Sequence, residues 1–312
     1  MRSVYHWNLG SRAIELGRRT VVMGVVNVTP DSFSDGGLYS DPDIAVAYAE
    51  QLLAEGASII DIGGESTRPG ANVLPALGAS TSAGGGRELS EALPSPVSEE
   101  EEKKRVIPVI RELRQRNPAA IISVDTYKAA VARAAVEAGA EVVNDISGFR
   151  WDPAMPKTVA ELKVGAVLMH ARGRPEEWRS LPPVGDPVLL VKRELKQWAE
   201  GAVIAGVKRD RLVLDPGFGF GKSFEENYPL LARFADLQYM GFPLLAGASR
   251  KSFIGRALAR DGKDAPIAER VFGTLAVETA LMLKGAHIIR THDVRSAVDA
   301  ARIADAIIAN GG

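Results

Sequence analysis

The chain has 312 residues, of which 46% are hydrophobic, and its 38 Lys and Arg residues balance 39 Asp and Glu residues. This length can bury a large core in a single α/β domain. The balanced charge excludes a general field for nucleic acid or an anionic membrane, and the absence of cysteine excludes disulfides, thiolate nucleophiles and cysteine metal sites.

Targeting and membrane signals are missing from the sequence. The first 20 residues lack the continuous apolar core of a signal peptide, and no later run reaches the ~18 apolar residues of a membrane span. The lack of cysteine suits a reducing compartment. We therefore expect a cytoplasmic protein that binds neither membrane nor nucleic acid.

The first buried strand leads directly into a long polar loop. After a segment with hairpin-like patterning, 1–19, the run 21–28 is uncharged and rich in β-branched residues, which is typical of a strand covered on both faces. The loop 27–40 is far longer than the roughly 2 to 6 residues that such a connection needs. It is either a functional lid or a poorly ordered surface loop, and its mixture of Phe33 with many polar groups favours the lid.

Strand and helix patterns alternate through the rest of the chain. The helix predicted at 294–309 carries an apolar stripe with helical spacing, and helices are also predicted at 128–138 and 269–284. Eight regular units favour a (β/α)8 TIM barrel over a doubly wound open sheet, with 1–312 as one domain. The eight predicted strands are 21–28, 57–63, 120–126, 141–147, 165–171, 212–218, 243–249 and 286–292.

One connection departs from this regular pattern. Residues 71–98 are rich in Gly, Ser and Pro and show no period, so we interpret them as a disordered loop insertion. The insertion ends at Ser98, which precedes four glutamates and is predicted to open a helix as part of a capping box.

Polar side chains recur at the carboxyl ends of the predicted strands, which is where the active sites of such barrels lie. Any one of them, such as Asp61 or Asp145, is more often a hydrogen-bonded structural residue. Their presence at all eight ends predicts a polar ligand site. The set comprises Asn27, Asp61, Glu65, Arg68, Asp125, Asn144, Asp145, Met169, His170, Asp215, Ser249, Arg250, Lys251, Arg290, His292 and Asp293.

Two other patterns do not carry the function that they first suggest. The segment 215–224, DPGFGFGKSF, has Pro216 where a phosphate loop needs glycine, and its glycines miss the dinucleotide spacing. We expect these glycines to let the backbone lie close to a flat ligand. The four histidines show no zinc-site spacing, and His287 is interpreted as structural.

The acids and amides of the set indicate a planar ligand. Asp125, Asn144 and Asp215 can accept hydrogen bonds from a ring edge rich in N–H groups, and Lys251 can donate to a ring carbonyl or nitrogen. These partners suit a heterocycle that resembles guanine or pterin.

The cationic residues indicate an anionic second half of the site. Arg68, Arg290 and His292, with the amide of Asn27, can bind a phosphate-type leaving group. A hard cation such as Mg²⁺ prefers oxygens from Asn27 and from that group. No arrangement typical of hydrolysis is evident, so we expect catalysis by positioning and by leaving-group stabilisation.

The sequence resembles the dihydropteroate synthase family of folate biosynthesis over about residues 21–308. The motifs that carry the resemblance stand in the family's order: NVTPDSFSDGG from Asn27, DIGGESTRPGA from Asp61, SVDTYK from Ser123, VNDISG from Val143, LMH from Leu168, LDPGFGFGK from Leu214, GASRKSFIG from Gly247 and RTHD from Arg290. The resemblance implies condensation of p-aminobenzoate with 6-hydroxymethyl-7,8-dihydropterin diphosphate, assisted by Mg²⁺. The products would be 7,8-dihydropteroate and diphosphate.

The resemblance also implies roles for individual residues, by position in these motifs. Lys251, Asp125 and Asp215 would be catalytic, and Asn27 would hold the metal. The pterin would be bound by Asp125, Asn144, Ile146, Met169, Asp215 and Lys251. The diphosphate would be bound by Asn27, Arg290 and His292, and p-aminobenzoate by Phe33, Thr67, Arg68, Pro69, Phe220, Lys251 and Ser252.

Two other functions stay open on the sequence alone. One is a noncatalytic paralogue that binds pterin, and the other is a methyltetrahydrofolate-dependent methyltransferase barrel with a corrinoid partner. The apolar residues of the last helices suggest a homodimer surface.

Overall fold

The computed structural model describes residues 2–29, 42–65 and 97–311. Most of the predicted lid 27–40 and of the insertion 71–98 lies outside the described residues. The strands are β1 (Tyr5–Asn8), β2 (Ala13–Leu16), β3 (Val21–Asn27), β4 (Ile59–Gly63), β5 (Ile121–Asp125), β6 (Val142–Asp145), β7 (Gly165–Met169), β8 (Leu212–Asp215), β9 (Leu245–Ala246) and β10 (Ile288–Thr291). The helices are α1 (Pro42–Ala54), α2 (Glu99–Arg116), α3 (Ala129–Ala138), α4 (Met155–Leu162), α5 (Pro187–Ile204), α6 (Phe224–Ala232), α7 (Ser252–Ala257), α8 (Val271–Leu283) and α9 (Val294–Asn310).

Strands β3 to β10 form a parallel sheet in the order β8-β7-β6-β5-β4-β3-β10-β9. The two edge strands meet through a parallel bridge between Leu214 and Leu244, where the N–H of Leu214 donates to the carbonyl of Pro243 at 3.0 Å. The (β/α)8 TIM barrel is therefore confirmed, as is the N-terminal hairpin, in which β1 and β2 pair antiparallel.

The hairpin fills the amino-terminal end of the barrel. Trp7 and Leu16 have no exposed surface, and the indole Nε1 of Trp7 donates to the carbonyl of Arg211 at 2.8 Å. Gly165 makes room for this plug, because a Cβ there would lie 2.6 Å from Leu9 and 3.1 Å from Trp7. Each of the eight barrel strands contributes one inward residue to the same apolar cluster: Met23, Ile59, Ile121, Val142, Val167, Val213, Leu245 and Ile288.

The predicted strands match the observed ones in number and order, but seven of the eight extend too far toward their carboxyl ends, whereas the strand predicted at 57–63 ends correctly at Gly63. The strand predicted at 212–218 ends at Asp215 in the structure, because Pro216 cannot donate a hydrogen bond to the neighbouring strand and Gly217 adopts a φ of +64°. The strand predicted at 243–249 is reduced to Leu245–Ala246. These shortened ends leave polar loops at the carboxyl rim of the barrel.

Ser98 caps α2, as the sequence predicts. Its side chain accepts a hydrogen bond from the N–H of Glu101 at 3.1 Å. Glu102, the last of the four glutamates, is instead buried in an ion pair with Lys128. Within the described ranges, no helix is long and apolar enough to span a membrane.

Replacing Trp7 tests the contribution of the hairpin plug. We expect Trp7→Ala to lower the free energy of unfolding by about 3–5 kcal/mol, because it leaves a cavity and removes the bond to Arg211. Urea unfolding followed by circular dichroism measures this change. His6→Ala, in an exposed neighbour on the same strand, is the control and should stay near wild type. Equal stability of the two variants would contradict a packed plug.

His287 is structural, as predicted, and it gives stability a pH dependence. Its Nδ1 accepts from the N–H of Leu244 at 3.0 Å, so Nε2 carries the hydrogen and donates to the carbonyl of Ser3 at 3.0 Å. Burial lowers the pKa of His287 from 6.5 to about 4. On acidification, His287 therefore takes up a proton at a lower pH in the folded state than in the unfolded chain. This contribution to stability is present above pH 6.5 and is lost as the pH falls through 4.

We expect His287→Asn to flatten the fall in stability between pH 6.5 and 4. The asparagine oxygen can replace Nδ1 as acceptor but takes up no proton in this range. The slope should decrease by up to about 1.4 kcal/mol per pH unit, measured by urea unfolding at a series of pH values. His6→Asn, at an exposed position, should leave the slope unchanged. A wild-type slope in His287→Asn would show that the ring is not held neutral.

Candidate active site

The carboxyl rim of the barrel collects the inward side chains of neighbouring strands. Strand register places Asn27 beside Gly63, Gly63 beside Asp125, and Asp125 beside Asn144. Because successive side chains of a strand point to opposite faces, residues two apart along each strand share the interior. Gly63 gives the Asp125 carboxylate its space, since a Cβ there would lie 3.3 Å from Cβ of Asp125.

Arg290 of β10 lies at the centre of this rim between two carboxylates. Its Nε donates to Oδ2 of Asp61 and its terminal nitrogen to Oδ2 of Asp125, each at 2.6 Å. Nδ2 of Asn144 donates to the same oxygen of Asp61 at 2.9 Å. Four strands are thus joined by one charged network, in which Asp61 is completely buried.

Burial sets the protonation tendencies of these groups. It raises the pKa of Asp125, and Arg290 opposes this shift. Burial also raises the pKa of Asp215 to about 6, against a hydrogen bond from the N–H of Gly217 and the charge of Lys251. For Lys251, burial and Arg290 lower the pKa to about 8, and Asp215 opposes them. Burial therefore moves the pKa values of both acids and of Lys251 toward neutral pH, as is common in functional sites.

Asp215, Lys251 and Phe220 form the opposite side of the rim. The Nζ of Lys251 lies 3.9 Å from the centre of the Phe220 ring, and Trp178 meets that ring edge-on at 5.3 Å. Gly247 lies between Asp215 and Arg290, where a Cβ would make ordinary contacts at 3.8 Å with Oδ2 of Asp215 and at 3.7 Å with Cβ of Arg290.

An apolar cluster lies beside these charges. It contains Ile146 and Met169, each 4% exposed, with Tyr127, Trp151 and Ala171, and Phe220 packs against it. The rim therefore has a polar edge and an apolar face, which are the requirements for binding a flat heterocycle.

His292 lies at the end of β10 with a fixed ring. The N–H of His292 donates to Oγ of Ser249 at 3.2 Å, and Nδ1 lies 3.0 Å from the same oxygen. Burial, followed by the charges of Arg290 and Arg250, lowers the pKa of His292 to about 3. With the Ser249 hydroxyl donating to Nδ1, the ring is neutral and Nε2 can donate to an anion.

The adjoining Arg250 braces this part of the rim. It has a φ of +57°, which is costly for a residue with a side chain. Its guanidinium forms a double ion pair with Asp293, and its N–H donates to Thr274 at 3.0 Å. These contacts fix the backbone between Ser249 and Lys251.

Two residues of the predicted polar set face away from the barrel interior. Asp145 follows the inward Asn144, and its Oδ1 accepts from the N–H and Oγ of Ser147 at 2.6 Å each, so it is a structural turn residue. His170 stacks on Trp198 with ring centres 5.1 Å apart and contacts Glu194 through Nε2 at 3.1 Å. Neither lies with the charged network around Arg290.

Two of the glycines after β8, Gly217 and Gly221, are required by contacts within the chain. A Cβ on Gly217 would lie 2.1 Å from the carbonyl of His170, and one on Gly221 would lie 2.4 Å from the carbonyl of Arg172. Both glycines also adopt positive φ. They allow two loops of the chain to pack together, so their spacing does not by itself indicate a flat ligand.

Of the remaining predicted site residues, some lie in the part of the chain that the structure describes and others lie outside it. Asn27 is half-buried at the end of β3, and Ser252 is exposed at the start of α7. Phe33, Thr67, Arg68 and Pro69 lie outside the described residues. Within the described ranges, no three His, Cys, Asp or Glu side chains cluster as a metal site.

Two residues beside the site are missing from the sequence prediction, Trp178 and Lys222. Trp178 lies in the connection after β7, where no periodicity indicates its contact with Phe220. Lys222 occupies the lysine position of the rejected phosphate-loop pattern, and it is only 7% exposed. A lysine inside a glycine-rich turn was the available signal for a buried role.

Comparison with known proteins relates the chain to pterin-binding enzymes. The family model described as "Pterin binding enzyme" matches residues 23–79 and 86–292. The chain is 39% identical over 301 residues to the dihydropteroate synthase of Clostridium beijerinckii, covering 96% of this chain and 98% of that protein.

Solved structures give the same result. A Xanthomonas albilineans dihydropteroate synthase with 4-aminobenzoic acid matches with a TM-score of 0.83 and 41% identity, covering 98% of this chain and 99% of that one. A structure of dihydropteroate synthase from the same organism in complex with 7,8-dihydropteroate matches with a TM-score of 0.77 and 40% identity, covering 95% and 96%. The chain therefore belongs to the pterin-binding enzymes and, within them, to the dihydropteroate synthase family of transferases.

Proposed function

We propose that this chain condenses p-aminobenzoate with 6-hydroxymethyl-7,8-dihydropterin diphosphate and releases 7,8-dihydropteroate and diphosphate. The observation that carries the proposal is the meeting of Asp125, Asn144, Asp215, Lys251 and Arg290, from separate strands and their loops, at one rim of the barrel. Acids and an amide lie where a ring edge with N–H groups would bind. The positively charged side chains lie where an anionic leaving group would bind.

The pterin ring is assigned to the acidic and apolar part of the rim. Asp125 and Asp215 would accept hydrogen bonds from ring N–H groups, and Lys251 would donate to a ring acceptor. Ile146 and Met169 supply the apolar surface on which the ring packs.

Arg290 must change partner when this substrate binds. In the structure it bonds to Asp125, the carboxylate assigned to the ring. The diphosphate offers Arg290 a bidentate partner, and its binding there would free Asp125 for the ring edge. His292 and Asn27 complete the diphosphate site, with His292 donating from Nε2.

Mg²⁺ is assigned to the diphosphate half through Asn27. An amide oxygen is the hard type of ligand that Mg²⁺ takes, and this ion commonly uses few protein ligands together with substrate phosphate and water. Asp61 and Asp125 are paired with Arg290 and so are not assigned to it. The bound ion would neutralise charge on the departing diphosphate.

The p-aminobenzoate site is assigned next to Lys251 and Phe220. Phe220 provides a ring face under the Lys251 ammonium, and Ser252 begins the following helix. Phe33, Thr67, Arg68 and Pro69 are proposed to complete this site.

In the proposed mechanism, the bond between the pterin methylene carbon and the diphosphate oxygen breaks, and the electron pair leaves with the diphosphate. The ring delocalises the positive charge, which Asp125 and Asp215 stabilise, while Arg290 and His292 stabilise the leaving group. The nitrogen of p-aminobenzoate then forms the new bond to the methylene carbon and loses a proton. No covalent enzyme intermediate is needed.

A homodimer is proposed from the exposed apolar residues of α8 and α9. Phe272 is 85% and Ile303 is 64% exposed, and Leu283 and Ile307 extend the same two helix faces. Large exposed apolar groups on adjoining helices favour a protein interface. The cytoplasmic location stays a prediction.

Lys251→Ala and Asp215→Asn test the proposed site. Each removes a charged group from the ring pocket, the partly buried ammonium of Lys251 or the buried carboxylate of Asp215, so we expect kcat/KM to fall by about 100-fold or more. The assay follows labelled p-aminobenzoate into dihydropteroate in the presence of Mg²⁺. Lys208→Ala, in an exposed lysine near the amino-terminal end of the barrel, is the matched control and should keep wild-type activity.

Each outcome of that assay bears on a specific alternative. Near-normal activity in both site variants would exclude this pterin pocket. Pterin binding without labelled product from the unmodified chain would favour the noncatalytic paralogue.

A second prediction concerns the oligomer. We expect the double variant Phe272→Asp with Ile303→Asp to be monomeric at concentrations where the unmodified chain is dimeric, because charge at the centre of an apolar interface is costly. Sedimentation equilibrium measures the mass. Ile204→Asp, at an apolar residue that is 86% exposed on α5, should leave the dimer intact. A monomeric unmodified chain would contradict the proposal.

A further inference from the structure

Lys222 is a buried lysine whose hydrogen bonds all go to backbone carbonyls. Its Nζ donates to Gly217 at 2.8 Å, to His170 at 3.1 Å and to Phe220 at 3.3 Å. An ammonium has three donors, so all of them are used. The residue is only 7% exposed.

These bonds join two loops at the carboxyl rim. His170 follows β7, whereas Gly217 and Phe220 belong to the turn after β8. The guanidinium of Arg172 adds a bond to the carbonyl of Gly221 at 3.1 Å. Because Gly217 and Gly221 have no side chains, the loops can approach closely enough for Lys222 to join them.

Phe220 depends on this junction more than Asp215 does. Asp215 is held by the strand ladder, where its carbonyl accepts from the N–H of His170 at 2.9 Å. Phe220 lies beyond the ladder, and its carbonyl bonds to Lys222 and, at 3.4 Å, to the N–H of Arg172. The ring of Phe220 is the group that lies 3.9 Å below the Lys251 ammonium.

Burying the ammonium of Lys222 costs desolvation free energy, which an apolar side chain at this position would not. Burial lowers the pKa of Lys222 to about 7, and Asp215 opposes the shift. An apolar side chain of similar length could fill the same space without desolvating an ammonium. Its three directed bonds are what an apolar side chain could not supply.

We propose that Lys222 is a positioning residue that fixes Phe220 for recognition of the aryl amine substrate. It acts through the carbonyls of the turn and touches neither substrate. This inference rests on the proposed function, and it assigns to Lys222 an effect on p-aminobenzoate rather than on the pterin.

The test uses the full chain with Mg²⁺ and measures KM for each substrate separately. We expect Lys222→Met to raise KM for p-aminobenzoate by at least tenfold and to change KM for the pterin diphosphate by less than threefold. Val159→Ala, in the buried core of α4, is the control for a general loss of stability and should change neither KM. Lys222→Gln, whose amide still donates, should give an intermediate value.

A double-mutant cycle separates positioning from a purely structural role. If Lys222 acts through Phe220, then Lys222→Met combined with Phe220→Ala should have the same KM for p-aminobenzoate as Phe220→Ala alone. Additive effects, or a lower melting temperature with both KM values unchanged, would overturn the proposal. So would a failure of both Lys222 variants to fold. If the unmodified chain forms no dihydropteroate, the proposed function fails as well, which distinguishes the two results.

Discussion

The ion-pair network of Arg290 with Asp61 and Asp125 is the interaction on which the rim of this barrel depends. The Arg290 side chain keeps only 21% of its surface exposed and Asp61 keeps none, so each charge needs an opposite charge beside it, and two carboxylates so close together need a cation between them. The bonds of 2.6 Å to each acid meet both requirements. The same network fixes the arrangement of donors and acceptors at the rim, because Asn144 is joined to it through Asp61.

The two ends of the barrel interior differ in chemistry. Along each strand every second side chain points inward, and the inward residues change from apolar to polar toward the carboxyl end. At the amino-terminal end, one apolar residue from each strand meets the hairpin, and Trp7 closes the interior. Two residues further along, β4 and β10 carry Asp61 and Arg290 in place of Ile59 and Ile288. An apolar plug at one end excludes water, which strengthens the electrostatic interactions at the other.

The barrel and the strand contribution to the site could be predicted because both follow from short-range patterns. Eight apolar runs, each followed by a polar group, are sufficient to place Asp125, Asn144 and Asp215 at one rim. The direction of an individual side chain could not be predicted in the same way. Asn144 and Asp145 are both polar, and a strand boundary uncertain by one residue exchanges the inward and outward positions.

Contacts between loops could not be predicted from the sequence for a different reason. One hydrogen bond of Lys222, in a glycine-rich turn, goes to the carbonyl of His170, 52 positions away in the chain, and no local pattern specifies that partner. The pairing of Arg290 with Asp61 and Asp125 likewise joins residues that are far apart in sequence. Its position at a strand end predicts that Arg290 binds an anion, but the sequence could not show that it pairs with two carboxylates of the barrel itself.

The division between ladder and loop explains how one rim can serve two substrates with different requirements. A fused heterocycle is recognised by hydrogen bonds of fixed direction, and Asp125, Asn144 and Asp215 are fixed because each lies in a strand whose neighbours are bonded on both sides. An aryl amine offers fewer directed bonds and is recognised more by the face of its ring. Phe220 and Lys251 lie beyond the strands, so their position depends on side-chain contacts such as those of Lys222 and Arg250 rather than on the sheet. In the proposed arrangement, the barrel strands therefore fix the groups for the pterin, whereas the groups for the aryl amine are fixed by charged residues next to the site, the buried Lys222 and the partly exposed Arg250.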